Sequence, residues 1–167
     1  MVLLTDHERH HKLLLQRLYL FIDTKLGIMF NIIISENAYS DLKDIAAENP
    51  DKAAKIAALI HTINSDQDLL SRLTNDNFEN YDEPQFNVDT WVSAQRERGI
   101  SLWRLKFLEQ FDIAAYRIIY TYDGTKNNEN YYILAVVHRE FNYETRSDLA
   151  IRIFNDYRDL DLYITGH

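Results

Sequence analysis

The chain contains no cysteine, only 4 glycines, 2 prolines and 2 methionines among its 167 residues. Without cysteine, disulfide scaffolds, thiolate zinc sites, iron–sulfur clusters and cysteine nucleophiles are excluded. So few glycines argue against a glycine-rich phosphate loop, and so few glycines and prolines against a turn-dense sandwich. No apolar run approaches the roughly 18 residues that span a bilayer. The start, MVLLTDHERHHK, has no basic region followed by an apolar core, so no secretory signal is read. A soluble, cytoplasmic protein with no membrane partner is the expectation.

What is present is a core and an uneven charge. Hydrophobic residues make up 46% of the chain, enough for one folded domain of this length. The formal net charge is -8, which argues against indiscriminate nucleic-acid binding. The acid excess is local: residues 36–89 hold 12 acidic and 4 basic residues, whereas residues 90–167 hold 11 and 10. A basic site can survive in that last part, because salt confines fields to about a Debye length.

Residues 6–24 read as a helix, with Leu14, Leu18, Phe21 and Ile22 at helical spacing and Asp6 as N-cap. Residues 28–34 (IMFNIII) read as a strand. Ser35 caps an expected helix over 36–48, and Asn49-Pro50 ends it and starts another over 50–73. The short joint predicts an antiparallel helical hairpin. Residues 74–88 read as a polar, acidic loop, after which Asp89 is expected to cap a short helix ending at Gly99. Three strands follow, over 101–108, 115–122 and 131–138, the last apolar enough to be buried on both faces. Thr145 and Asp148 resemble a capping box at the start of a last helix, about 146–160. The predicted class is α+β: a small, mostly antiparallel sheet, built from the N-terminal strand and a β-meander, packed against a helical hairpin, with N- and C-terminal helices. Residues 1–27 are read as a helical extension and 28–167 as the main domain.

In the first meander strand, Trp103, Leu105 and Phe107 alternate with Arg104 and Lys106, so the aromatics face one way and the cations the other. The segments FNIIISENAYSDL (30–42), LWRLK (102–106), YRIIY (116–120) and AVVHREFNY (135–143) follow one another in an order that resembles the RelE/ParE toxin superfamily of bacterial toxin–antitoxin pairs. The resemblance covers most of residues 28–160. It implies a cognate antitoxin as partner and no cofactor or metal. It also implies one of two activities. RelE-like members cleave messenger RNA, typically on the ribosome, by attack of a ribose 2′-hydroxyl on the adjacent phosphate. ParE-like members inhibit DNA gyrase and cleave nothing. On the first reading, Arg117 and Arg139 match the family's phosphate-clamping arginines, and Lys106 adds charge stabilisation. His138 or Tyr143 transfers protons, and Arg104 and Tyr116 help hold substrate. A diverged, non-toxic binding protein of the same fold is the further alternative.

Plainer readings stand beside these. Arg104 and Lys106 also fit the solvated face of a half-buried strand. Arg117 fits an ion pair with Glu109, Asp123 or a helix carboxylate. His138 fits a satisfied core histidine, and Tyr143 a core or capping aromatic. His7-Glu8-Arg9-His10-His11 matches H-E-x-x-H literally, but no preceding sheet or third ligand supports a zinc site there. The extension at 6–24 is a candidate for autoinhibition or for forming a homodimer.

Overall fold

A computed structural model describes residues 29–108, 112–124 and 128–160. The helix expected over 6–24, with its H-E-x-x-H match and the division near residue 27, lies outside the described residues. The strand β1 (Met29–Ile34) leads into helices α1 (Glu36–Glu48), α2 (Pro50–Asn64) and α3 (Gln67–Arg72). Strands β2 (Glu79–Asn80) and β3 (Phe86–Thr90) and helix α4 (Val92–Arg98) follow. Strands β4 (Trp103–Phe107), β5 (Tyr116–Asp123) and β6 (Asn128–His138) then precede helix α5 (Asp148–Asp159). Among the described residues six strands form one sheet in the order β1-β6-β5-β4-β3-β2, and there only the β1–β6 pair is parallel. The α+β class and the strand–hairpin–meander core match the sequence expectation.

The helix boundaries follow their caps. Ser35 Oγ accepts the Ala38 N–H and starts α1, and the Asn49 side chain accepts the Lys52 N–H and starts α2. The helix expected over 50–73 is divided in two, because Asp66 accepts the N–H groups of Asp68 and Leu69 and opens α3 afresh. At the last helix Ser147 is the cap, accepting from Ala150; Thr145 instead donates to the Glu97 carboxylate.

The stretch 74–88 is not simply a loop. Phe86 and Val88 point into the core while Asn87 and Asp89 point to the opposite face, which makes β3 an ordinary half-buried strand beside β4. Asp89 therefore lies in a strand and caps nothing; α4 starts after Trp91 with no side-chain cap. The β5–β6 turn is also shorter than expected, since β6 already begins at Asn128.

Two hydrophobic layers sandwich the sheet. On one face α1, α2 and α3 bury Ala38, Leu42, Ile56, Ile60, Ile63 and Leu70 against Leu105, Ile118, Tyr120 and Ile133. On the other, α5 buries Ala150, Ile153, Phe154 and Tyr157, at helical spacing, against Leu134, Ala135 and Val137. Each large side chain so buried contributes about 1.5–3 kcal/mol. Among the described residues only β5 and β6 are covered on both faces, which is why YILAVV reads as continuous apolar sequence. The exposed edge of β1 is closed by amides. Gln67 bonds both the N–H and the carbonyl of Phe30, and Asn64 accepts the Ile32 N–H. Among the described residues no helix is long and apolar enough to cross a membrane.

Candidate functional site

The face of the sheet that α5 covers over β5 and β6 continues, over β3 and β4, as a polar surface. Strand register sets its order. Asn87 on β3, Lys106 on β4 and Arg117 on β5 stand in one row, and Asp89, Arg104 and Ile119 in the next. Lys106 and Arg117 are thus direct cross-strand neighbours of like charge, an arrangement that destabilises a sheet unless an anion sits with them.

Asp89 supplies part of that anion. Its Oδ2 is in ion-pair contact with Lys106 Nζ and lies 3.5 Å from Arg104 Nε, an ion-pair distance longer than a good hydrogen bond. The three side chains are 18–28% exposed, so the cluster is reachable from solvent but partly desolvated. Asp89 was absent from the sequence-based candidates; the alternation of FNVDT was the available signal.

Arg117 is held differently from every partner anticipated for it. Its Nη1 donates to the backbone carbonyls of Ala114 (2.7 Å) and Tyr116 (2.6 Å). Glu109 lies outside the described residues, and among those described no carboxylate ion-pairs with Arg117. Burial pushes the guanidinium pKa down from its ordinary value; Tyr143 and Asp89 counteract this, while the charges of Arg139 and Arg104 reinforce it. All four groups are therefore within electrostatic range of Arg117. Arg139 lies in the turn after β6, its N–H donating to Ala115 O, with its charge near enough to act on Arg117.

Tyr143 completes the surface. Its ring lies over the Arg104 guanidinium, 4.8 Å from centroid to Cζ, a cation–π contact. Its backbone is left-handed, at φ 59°, a conformation that costs a bulky residue about 1–2 kcal/mol. Burial raises the phenol pKa, and Arg104 and Arg117 draw it partly back down. The hydroxyl thus stays protonated near neutrality, with cations beside it.

Two expected site residues are elsewhere. Tyr116 and His138 are register partners on the helical-hairpin face, with their rings edge-to-face at 5.8 Å. There His138 borders a groove with Asp41, Asp44, Ile45, Glu48 and Val136. Its Nδ1 lies 3.5 Å from the exposed Glu140 carboxylate. The sheet therefore separates His138 and Tyr116 from Arg104, Lys106, Arg117 and Tyr143. Trp103 also points to the hairpin face, stacked on Tyr120.

Charge is divided in the same way. The groove is bordered by Asp41, Asp44 and Glu48 of α1, of which Asp41 is paired with Arg152, and the opposite face sets Arg104, Lys106 and Arg117 around Asp89. Among the described residues no three His, Cys, Asp or Glu side chains cluster as a metal site. Comparison with family models, with curated proteins and with solved structures gave no match.

Proposed function

We propose that this chain is the toxin of a type II toxin–antitoxin pair, a RelE-type endoribonuclease that cleaves messenger RNA, held in check by a cognate antitoxin. One observation carries the reading. Arg104, Lys106 and Arg117 face the same side of adjacent strands, with Arg139 following and Tyr143 laid over Arg104. The strand order supports the resemblance as well, since β1 pairs parallel to the last meander strand after a helical hairpin.

Such a surface suits attack of a ribose 2′-hydroxyl on its neighbouring phosphate. The new O2′–P bond forms as the P–O5′ bond breaks, leaving a 2′,3′-cyclic phosphate and a 5′-hydroxyl. Negative charge grows on the phosphate oxygens, and preorganised guanidinium groups stabilise it more than they stabilise the ground state. Arg117 fits this role because its charge is partly desolvated and lacks a carboxylate partner among the described residues. Tyr143, held protonated, is the group on this face suited to give a proton to the departing 5′-oxygen. The nucleophile belongs to the RNA and gives up its 2′-hydroxyl proton to solvent water, so the protein orients the linkage, neutralises the phosphate and supplies the proton that the departing 5′-oxygen takes.

A second reading is favoured by Asp89. Its carboxylate already occupies Arg104 and Lys106, which suits a surface that binds without cutting, as in a ParE-like gyrase inhibitor or a diverged binding protein of this fold. Incubation with translating ribosomes, with mapping of new RNA ends, separates the two. New ends that vanish in Arg117→Ala support the nuclease. Intact RNA with blocked gyrase supercoiling supports the inhibitor.

A further inference from the structure

We propose that Trp91, which joins β3 to α4, and Ser93, in the first turn of α4, are positioning residues that set the Tyr143 ring over Arg104. This rests on the nuclease reading for its catalytic consequence, though not for its geometry. Neither residue belongs to the segments that carry the family resemblance.

Two donors converge on one carbonyl and are bonded to each other. Trp91 Nε1 donates to Ser93 Oγ (2.8 Å) and to Tyr143 O (3.2 Å), and Ser93 Oγ donates to the same Tyr143 O (3.2 Å). Both lone pairs of that oxygen are thus engaged. The anchor itself is fixed: Trp91 is 2% exposed, and its N–H donates to Leu102 O, directly before β4. Its ring meets those of Tyr143 (5.4 Å, 79°) and Phe141 (5.5 Å, 90°) edge-on. Around this anchor Tyr143 adopts the left-handed backbone that its side chain disfavours. A strained residue persists only where its surroundings over-determine it, and here the two donors and the two rings do so. The outcome of the strain is the position of the phenol.

The same stretch holds the other side of the contact. Asp89, two residues before Trp91, pairs with Arg104 from β3. One short segment therefore fixes both the cation and the ring that covers it.

The test uses the full chain carrying tyrosine 13C-labelled in the ring alone, so that the signal reports the ring against Arg104 and not the carbonyl, with the Tyr143 signal assigned through Tyr143→Phe. Ser93→Ala removes one donor with little loss of packing, and Ser93→Thr retains the hydroxyl; Trp91→Phe is the harsher second variant. In Ser93→Ala the Tyr143 resonance is expected to move, and ribosome-dependent cleavage to lose about tenfold in kcat with KM within about twofold. Ser93→Thr should restore both. An unmoved Tyr143 signal in Ser93→Ala overturns the proposal, as does an unchanged kcat when the wild-type chain cleaves. If the wild-type chain cleaves nothing, the nuclease reading fails alone, and a moved Tyr143 signal still upholds the anchoring.

Discussion

Lys106 and Arg117 stand directly opposite each other on antiparallel strands, two cations on one face of a sheet. Opposed like charges cost a sheet roughly 0.2–1 kcal/mol relative to a neutral pair. Asp89 offsets this on the Lys106 side, and Arg117 turns to the carbonyls of Ala114 and Tyr116. The arrangement is therefore poorer for stability than a neutral row, and well suited to an arriving phosphate. Replacing Arg117 by Met is expected to leave stability unchanged or raise it by up to about 1 kcal/mol. Urea unfolding measures this, and a loss of 2 kcal/mol or more (roughly the cost of breaking a buried pair) contradicts it.

Asp89 has the opposite role. Asp89→Ala leaves Arg104, Lys106 and Arg117 without their nearest anion and is expected to destabilise by about 1–3 kcal/mol. It should also tighten binding of a 2′-O-methyl RNA oligonucleotide, which lacks the nucleophile. A filter-binding or anisotropy titration shows the change, and weaker binding would mean that Asp89 serves the ligand rather than competing with it.

Affinity for that oligonucleotide should fall steeply with salt. Single-strand binding loses about 0.7 log units per log unit of salt for each phosphate neutralised. Arg139→Ala is expected to reduce the slope by roughly one such increment. An unchanged slope would remove Arg139 from the binding face.

On the nuclease reading, the placement of His138 predicts an asymmetry in cleavage. Tyr143→Phe should lower kcat by about 10²-fold or more, the usual worth of a general acid, whereas His138→Ala should leave it within about twofold. Single-turnover cleavage on ribosomes compares them. Equal losses would mean that both faces of the sheet meet the substrate.

Acid stability should report Asp76, whose carboxylate accepts the Thr90 N–H at 2.6 Å and pins the turn before β2 to the end of β3. That bond holds its pKa below the usual carboxylate value of 3.8. A depressed folded-state pKa contributes stability above the unfolded value and loses it as the pH falls through the folded one. The wild-type chain should therefore lose more stability than Asp76→Asn on acidification below about pH 4. Parallel curves from urea melts between pH 5 and 2.5 would contradict this.

Much of the fold was legible because its signals are local. Ser35, Asn49 and Pro50 mark α1 and α2, and the alternation in WRLKF and the apolar run in YILAVV mark β4 and β6. Strand β3 was missed because acids and turn residues surround it, although Phe86 and Val88 already alternate with Asn87 and Asp89. The break between α2 and α3 had its signal in Asp66, hidden by an apolar pattern that runs on to Leu70. The site was half legible. Adjacent residues on a strand point to opposite faces. Tyr116 thus could not share a face with Arg117. Asp89 had its signal in that alternation, but its cationic partners depend on which strand pairs with β4, and the Trp91–Ser93 anchor depends on where the chain at Tyr143 folds back.

The most direct measurement is cleavage of messenger RNA by the purified chain on translating ribosomes, with RNA ends mapped for wild type and Arg117→Ala. The account predicts new ends bearing 2′,3′-cyclic phosphate from the wild-type chain and at least a 10²-fold loss in the variant. Intact RNA with both proteins, or equal cleavage by both, would contradict it.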